Sequence, residues 1–266
     1  MIKDRKNYVV VKREQVPKEA KIWRPREVFK KKIEPASPEF PNGRIIKYKV
    51  HLTIAAFTKM MIQGIDYDQK YASTVKWSTV KLLLAVAAHE NLELWSTDIE
   101  AFFLYGDLPE DKPLYMFPPD DFVMVEPGLE EGGILKFVKS IYGAPQAAHA
   151  AQEKFTVTML KDGKFKQAMS DTCLYISTVP KVRALVAVWV DDGIGCGSLA
   201  AKKLVIQTLR AKFNITVVDE PKLFYGIQIE RDRQRRWLKL HQSDYLKNLL
   251  LAVDMFDCNP CDCPGL

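Results

Sequence analysis

The sequence predicts an α+β fold, and three observations predict it. Short β-prone runs recur between clusters of Gly, Pro, Asn and Asp, the pattern of strands joined by turns. Two segments place apolar residues at helical spacing: Val80, Leu83, Leu84, Ala87 and Ala88, and then Ala201, Val205, Leu209 and Phe213. Between Ala184 and Gly197 an apolar run ends at two adjacent carboxylates, Asp191 and Asp192, and returns through Gly193, Gly195 and Gly197. That stretch reads as a hairpin with acids at its tip.

The totals bound the class. A chain of 266 residues can bury a sizeable core in one large or two small domains. Its 47% hydrophobic and 27% charged residues are those of an ordinary soluble globular protein. The net charge of +6 is unevenly placed, since residues 1–60 hold 16 Lys and Arg against 6 Asp and Glu. Such a basic segment favours a polyanion partner, although the first two dozen residues alone read as a solvated, partly disordered arm. Five widely spread cysteines make no disulfide framework. Cys258, Cys261 and Cys263 lack a fourth Cys or His nearby and make a poor zinc site. The start, MIKDRKNYVV, is too charged for a signal peptide, and no apolar run is long enough to span a bilayer. The expectation is an intracellular, soluble protein with no membrane partner, cytoplasm and nucleus both remaining open.

The elements follow in order. Val28–Lys32 is a short basic strand, and EPASPEFPNG (34–43) a loop with three prolines. Ile45–Ile54 alternates as a strand with Lys47 and Lys49 on one face, so the two strands form a basic hairpin with a long connection. Ser78 caps a helix that ends near His89 or Glu90. Leu92–Thr97 is a strand entering Asp98. Residues 111–133 are loop, Lys136–Ile141 a strand, Tyr142–Gln146 a turn and Ala147–Leu160 a helix. Lys161–Lys166 is a turn, Thr172–Thr178 a strand, and Ser198 caps the helix that follows the acidic hairpin. Leu223–Glu230 is strand-like, Asp232–Arg236 a charged turn, Trp237–Leu240 a strand and Asp244–Val253 an amphipathic helix.

Two stretches carry chemistry. Adjacent Asp191 and Asp192 are mutually destabilising unless something positive sits between them. Hard oxygen ligands suit Mg²⁺, while a solvated Asp-Asp turn is the plainer alternative. Asp98, at the end of an apolar strand, must be paired, protonated or bound to a cation, or else cap a helix. Beside the hairpin it would complete a set of three carboxylates around metal.

In this order the chain resembles the reverse transcriptase domain of copia-type LTR retrotransposons. GIDYDQKYASTVKWSTVKLLLAVAA is similar to the segment leading into that family's palm. LELWSTDIEAFFLYGDLPEDKPLYMFPP resembles its first catalytic motif, IYGAPQAA its "LYGLKQAP" and VWVDDGIGCG its "YVDD" hairpin. LFYGIQIERD and LHQSDYLKNLL resemble its "YFLGIEI" and "LSQ…YI…LL" elements. The resemblance implies a right-hand polymerase with fingers and palm, an antiparallel palm sheet backed by helices, and a truncated thumb. It divides the chain into a basic extension (1–44), fingers (45–73 and 106–150), palm (74–105 and 151–240) and the start of a palm–thumb connection (241–266). It implies an RNA-directed DNA polymerase that uses template–primer and dNTPs. Asp98 and Asp191 would bind two Mg²⁺ ions, with Mn²⁺ as an alternative, and Asp192 would be the more peripheral acid. Phe103 would lie under the sugar and reject a 2′-hydroxyl. Lys49 would contact phosphate, and Gln146, with Tyr142 in the same motif, would stand near the nucleotide.

The chain also departs from the family pattern. His51 and Ala55 replace an Arg and a Lys of "KARLVAKGF". Pro145, Ala148, His149 and Ala151 replace the Lys, Pro, Arg and Trp of "LYGLKQAPRAW", Phe102 replaces a small Ala, and Trp189 replaces the Tyr of "YVDD". Thinning the basic shell weakens the electrostatic stabilisation of phosphoryl transfer. The alternative reading is therefore a catalytically weak or inactive remnant that binds nucleic acid or serves as an interaction protein.

Overall fold

The computed structural model describes residues 6–34, 43–55, 61–120, 127–129 and 132–259. The strands of the first half are Tyr8–Val11 (β1), Ile22–Trp23 (β2), Pro25–Glu34 (β3), Arg44–Ile54 (β4), Glu93–Ile99 (β5), Leu114–Met116 (β6) and Ile134–Phe137 (β7). Those of the second half are Phe165–Gln167 (β8), Leu174–Ser177 (β9), Ala184–Trp189 (β10), Asp192–Gly197 (β11), Ile215–Asp219 (β12), Leu223–Phe224 (β13), Ile227–Asp232 (β14) and Trp237–His241 (β15). Four helices are described: Trp77–His89 (α1), Ala147–Val157 (α2), Leu199–Arg210 (α3) and Ser243–Ala252 (α4). None is long and apolar enough to cross a membrane. The chain divides into two compact units, Met1–Ser73 with Glu100–Asp162, and Thr74–Ile99 with Gly163–Leu266.

The first unit holds a four-stranded sheet of order β1-β7-β6-β2, antiparallel except for the β2–β6 pair. Its core gathers Tyr8, Trp23, Met116, Leu135, Phe137 and Ile141. Residues 6–24 are therefore not a solvated arm: Tyr8, Val16 and Trp23 are buried. Leu114–Met116 is likewise a buried strand within what reads as loop. Strands of two to four residues are too short to establish a period against charged or proline-rich neighbours. The basic hairpin is a two-stranded ribbon of β3 and β4 with a register shift at Lys32/Ile33. Within its expected loop, residues 35–42 lie outside the described residues. Helix α2 packs on the short 3-10 turn Phe102–Tyr105. A Cβ on Gly106 would come within 2.6 Å of the Ala150 Cβ, so this approach needs the small residues that open the helix.

The second unit is built on a six-stranded antiparallel sheet of order β12-β5-β11-β10-β9-β8. Leu94, Ala187, Ile194 and Cys196 pack with Val80, Leu83, Leu84 and Ala87 of α1. Alternation turns Gly193, Gly195 and Gly197 to the opposite face. There a Cβ on Gly195 would meet the indole of fully buried Trp95 at 2.5 Å, and one on Gly197 would meet Ala201 of α3 at 3.1 Å. These glycines are space for Trp95 and α3 more than turn residues. The Ser198 Oγ caps α3, accepting the Ala201 N–H at 3.2 Å as expected.

Helix α1 begins one residue before Ser78, and its N-cap is Lys76, whose side chain makes no cap hydrogen bond. The Asp171 carboxylate takes that part, accepting the Lys76 N–H at 2.9 Å and the Thr79 hydroxyl at 2.6 Å. Strand β12 has no counterpart among the elements expected from sequence, and β8 extends past a predicted turn. Leu223–Glu230 splits into β13 and β14 around Tyr225 and Gly226, whose φ angles of 47° and 77° are those of a type I′ turn. Among the described cysteines, Cys173 and Cys196 are buried free thiols and Cys258 an exposed one; Cys261 and Cys263 lie outside the described residues.

Candidate active site

The three acids meet in the second unit. Strand β5 is central, flanked by β11 and β12, and its Asp98 stands directly across from Asp192 and from Thr216. Asp191 belongs to the two-residue turn between β10 and β11, with Trp189 paired to Asp192. The Ile99 N–H donates to the Asp191 carbonyl at 3.0 Å, tying the turn to the end of β5. Val190 has a φ of 58°, while Asp191 does not have a positive φ, which is the pattern of a type II′ turn. Glycine is the usual residue there, and a β-branched one costs about 1–3 kcal/mol that the surroundings must offset.

Strand alternation puts Ser96, Asp98, Asp192 and Thr216 on one face of the sheet. They line an open cleft of about 310 Å³ that Phe224 and Tyr225 close on one side. Burial, then the charges of Asp191 and Asp98, push the Asp192 carboxyl up to about 6. The donor set is all oxygen and crowded with like charge, which suits a hard divalent cation. Among the described residues no group of three His, Cys, Asp or Glu side chains stands in an arrangement that could hold a metal ion. The register sets Asp98 across from Asp192 with Asp191 next in the chain, and the three do not form a ligand cluster.

Next to the acids three aromatic rings stack. Trp189 lies 4.0 Å from Tyr225, ring centroid to centroid, at 37°. Trp77, the first residue of α1, is 6.4 Å from Trp189 and 6.1 Å from Tyr225.

The other expected site residues belong to the first unit. Phe103 is partly buried against that unit's core, and Tyr142 meets it edge-on at 5.6 Å. His51 also meets Tyr142 edge-on, at 5.1 Å. The Ser140 hydroxyl donates to the Phe103 carbonyl, and the Ile54 N–H to that of Tyr142, so this trio is pinned by backbone as well. Gly143 has a φ of 87°, and a Cβ there would lie 2.7 Å from the Ile54 carbonyl oxygen. Lys49 shares a face of β4 with His51 and stands opposite Lys30. Gln146 precedes α2 and is 7% exposed, and its Oε1 is buried without a partner. It lines a different cleft, with Tyr67, Asp68, Asp107, Lys112 and His149. The structure thus joins Phe103 with Tyr142 and groups Gln146 elsewhere. Sequence alone singled out neither Val190, Trp77 nor Thr216 for the site. Tyr225 and Gly226 lay within the strand-like run Leu223–Glu230, and nothing marked Trp77.

Comparison with known proteins places the chain. The profile of the family described as reverse transcriptase (RNA-dependent DNA polymerase) matches residues 5–266. The retrovirus-related Pol polyprotein from transposon TNT 1-94 of Nicotiana tabacum is 28% identical over 225 residues, 83% of this chain and 16% of that protein. The retrovirus-related Pol polyproteins from transposons RE1 and RE2 of Arabidopsis thaliana are 27% and 25% identical over 224 residues, each match covering 84% of this chain and 15% of the relative. The chain therefore spans about a sixth of the length of these curated relatives.

Proposed function

The chain belongs to the reverse transcriptase (RNA-dependent DNA polymerase) family, in the branch found in copia-type retrotransposon Pol polyproteins, and from that premise we propose that it extends a primer 3′-hydroxyl with dNTPs on an RNA template. The observation that carries this reading is the pairing of Asp98 with Asp192 across β5 and β11, beside Asp191, where that face of the sheet opens into the cleft. In this reading the palm is residues 74–105 and 151–240, most of which belong to the second unit, and the fingers are residues 45–73 and 106–150, which belong to the first. Asp98 and Asp191 hold two Mg²⁺ ions, Mn²⁺ being an alternative, and Asp192 is the peripheral acid. When bound, the ions would lower the pKa of the primer hydroxyl and stabilise charge developing on the α-phosphate and the leaving pyrophosphate.

The protein's own residues do the rest. Asp98 and Asp191 supply fixed negative charge from two different strands' ends, so the reacting groups meet a preorganised site. Phe103, which meets Tyr142 edge-on, would lie under the sugar and reject a 2′-hydroxyl. Lys49 would contribute its ammonium to phosphate, while Gln146 keeps its Oε1 buried without a partner in the separate cleft of Tyr67, Asp68 and His149 and is not assigned to the nucleotide.

The test is primer extension on an RNA template with Mg²⁺. Asp191→Asn is expected to lower the rate by about a thousandfold, equivalent to about 4 kcal/mol, with template–primer binding unchanged. One observation favours a second reading. His51 stands on the ribbon where a strong cation is expected, and its ring is engaged with Tyr142. Parent protein that binds template–primer with steep salt dependence yet extends no primer would establish that reading, a nucleic-acid-binding remnant.

A further inference from the structure

Val190 keeps its φ of 58° inside the turn that presents Asp191 and Asp192. A β-branched residue leaves that region unless its surroundings hold it. Repulsion among the acids adds to the tendency of the tip to rearrange. Backbone bonds restrain the turn and the strand that enters it: Ile99 N–H to the Asp191 carbonyl at 3.0 Å, and Val75 N–H to the Val188 carbonyl at 3.2 Å. A further restraint is aromatic. Trp189, the residue that enters the turn, stacks on Tyr225 at 4.0 Å, and Trp77 flanks both rings. Tyr225 is itself the first residue of the tight β13–β14 turn, so its ring has little freedom of its own. It is 47% exposed and lines the cleft with Asp98 and Asp192. A ring recruited for burial alone would be covered; this one is left open on the side of the acids.

We propose that Trp189 and Tyr225 are positioning residues whose stacked rings splint the strained acidic turn to the β13–β14 turn. The stack thereby fixes where Asp191 and Asp192 stand. The inference deepens the reading of the acids as a metal-holding site and rests on it for its second measurement only.

The first measurement is amide hydrogen exchange on the full chain without divalent cation. The Ile99 amide reports the turn, because its acceptor is the Asp191 carbonyl. The Glu220 amide, bonded to the Leu94 carbonyl at 3.0 Å, reports the other end of β5. Tyr225→Ala and Trp189→Ala are expected to speed exchange at Ile99 by about tenfold and to leave Glu220 unchanged. Tyr225→Phe, which keeps the ring and loses the hydroxyl, is expected to match the parent. The second measurement is Mn²⁺ titration, where Tyr225→Ala should raise the Kd about tenfold and Tyr225→Phe should leave it unchanged. Unchanged Ile99 exchange in both alanine variants overturns the splint. So does equal acceleration at Ile99 and Glu220, which would mark the stack as ordinary packing. A parent chain that shows the Ile99 response but binds no Mn²⁺ supports the splint and overturns the metal reading of the acids.

Discussion

Asp192 stands across from Asp98 and next to Asp191, and its carboxyl is held at about 6, above the ordinary 3.8, by burial first and by those two charges second. A carboxyl raised in the folded state penalises folding once it must ionise. The penalty is absent below the unfolded value, grows as pH rises from about 4 to about 6, and is complete above that. Asp192→Asn removes it. Without divalent cation, and discounted for partial exposure, the variant should gain about 1 kcal/mol more stability at pH 8 than at pH 5. Urea unfolding at the two pH values measures this, and an equal gain at both would refute the crowding of the carboxylates. At this scale the acids were legible because two adjacent charges interrupt an apolar run abruptly and stand out from it. The strain at Val190 was not, since a β-branched residue between Trp189 and Asp191 looks like one more strand position. The glycines of β11 were legible as a return strand, but their purpose depends on Trp95, about a hundred residues earlier in the chain.

Among the elements, α1 is held by contacts that its own sequence does not contain. Asp171 caps its first turn from 95 residues away and also accepts the Cys173 N–H at 3.0 Å. Burial alone would raise this carboxyl. The bonds from Thr79, Lys76 and Cys173, with the Lys76 charge, outweigh it and hold the group below the ordinary range. Its contribution is therefore present above the ordinary carboxylate pKa and is lost as pH falls through the folded value. At the other end, Arg231 donates to the Ala87 and Leu92 carbonyls at 2.9 and 2.7 Å and pairs with Glu220 at 2.9 Å. Asp171→Ala strips the acceptor from a helix N–H and from the buried Thr79 hydroxyl. It should cost about 2–3 kcal/mol at pH 7, measured by urea unfolding. A loss under about 0.5 kcal/mol, the size of an ordinary surface substitution, would show that α1 does not depend on this cap. The periodicity of α1 was readable in Val80, Leu83, Leu84 and Ala87, yet Ser78 drew the cap to the wrong residue. Local sequence offers a hydroxyl, and only the fold reveals a better placed carboxylate.

For the whole molecule, the +6 charge is concentrated in residues 1–60, and the β3–β4 ribbon orders part of it. Lys30 stands opposite Lys49, and Lys32 opposite Lys47; alternation puts all four on one face, and all four are exposed. Directly opposed like charges destabilise a two-stranded ribbon, so this arrangement works against the ribbon's own stability. Strand spacing puts successive lysines on that face about 6–7 Å apart, close to the repeat of a nucleic-acid backbone. Sequence revealed the excess of lysine and the strand that carries Lys47 and Lys49. It could not reveal that Lys30 and Lys32 are their partners, because register is set by pairing and not by either strand alone. The pairing makes a quantitative expectation. Replacing Lys30, Lys32, Lys47 and Lys49 together with Gln should weaken template–primer binding at low salt. It should also flatten the log–log salt dependence by about 0.7–0.9 for each phosphate that is no longer neutralised, so by about 3 in all. Asp191→Asn, which touches no phosphate-binding lysine, should leave that slope unchanged while slowing extension about a thousandfold. Fluorescence-anisotropy titrations over a range of KCl concentrations would measure both slopes. A quadruple variant with the parent's slope would show that the lysine face is not where the backbone lies, whatever the acids do.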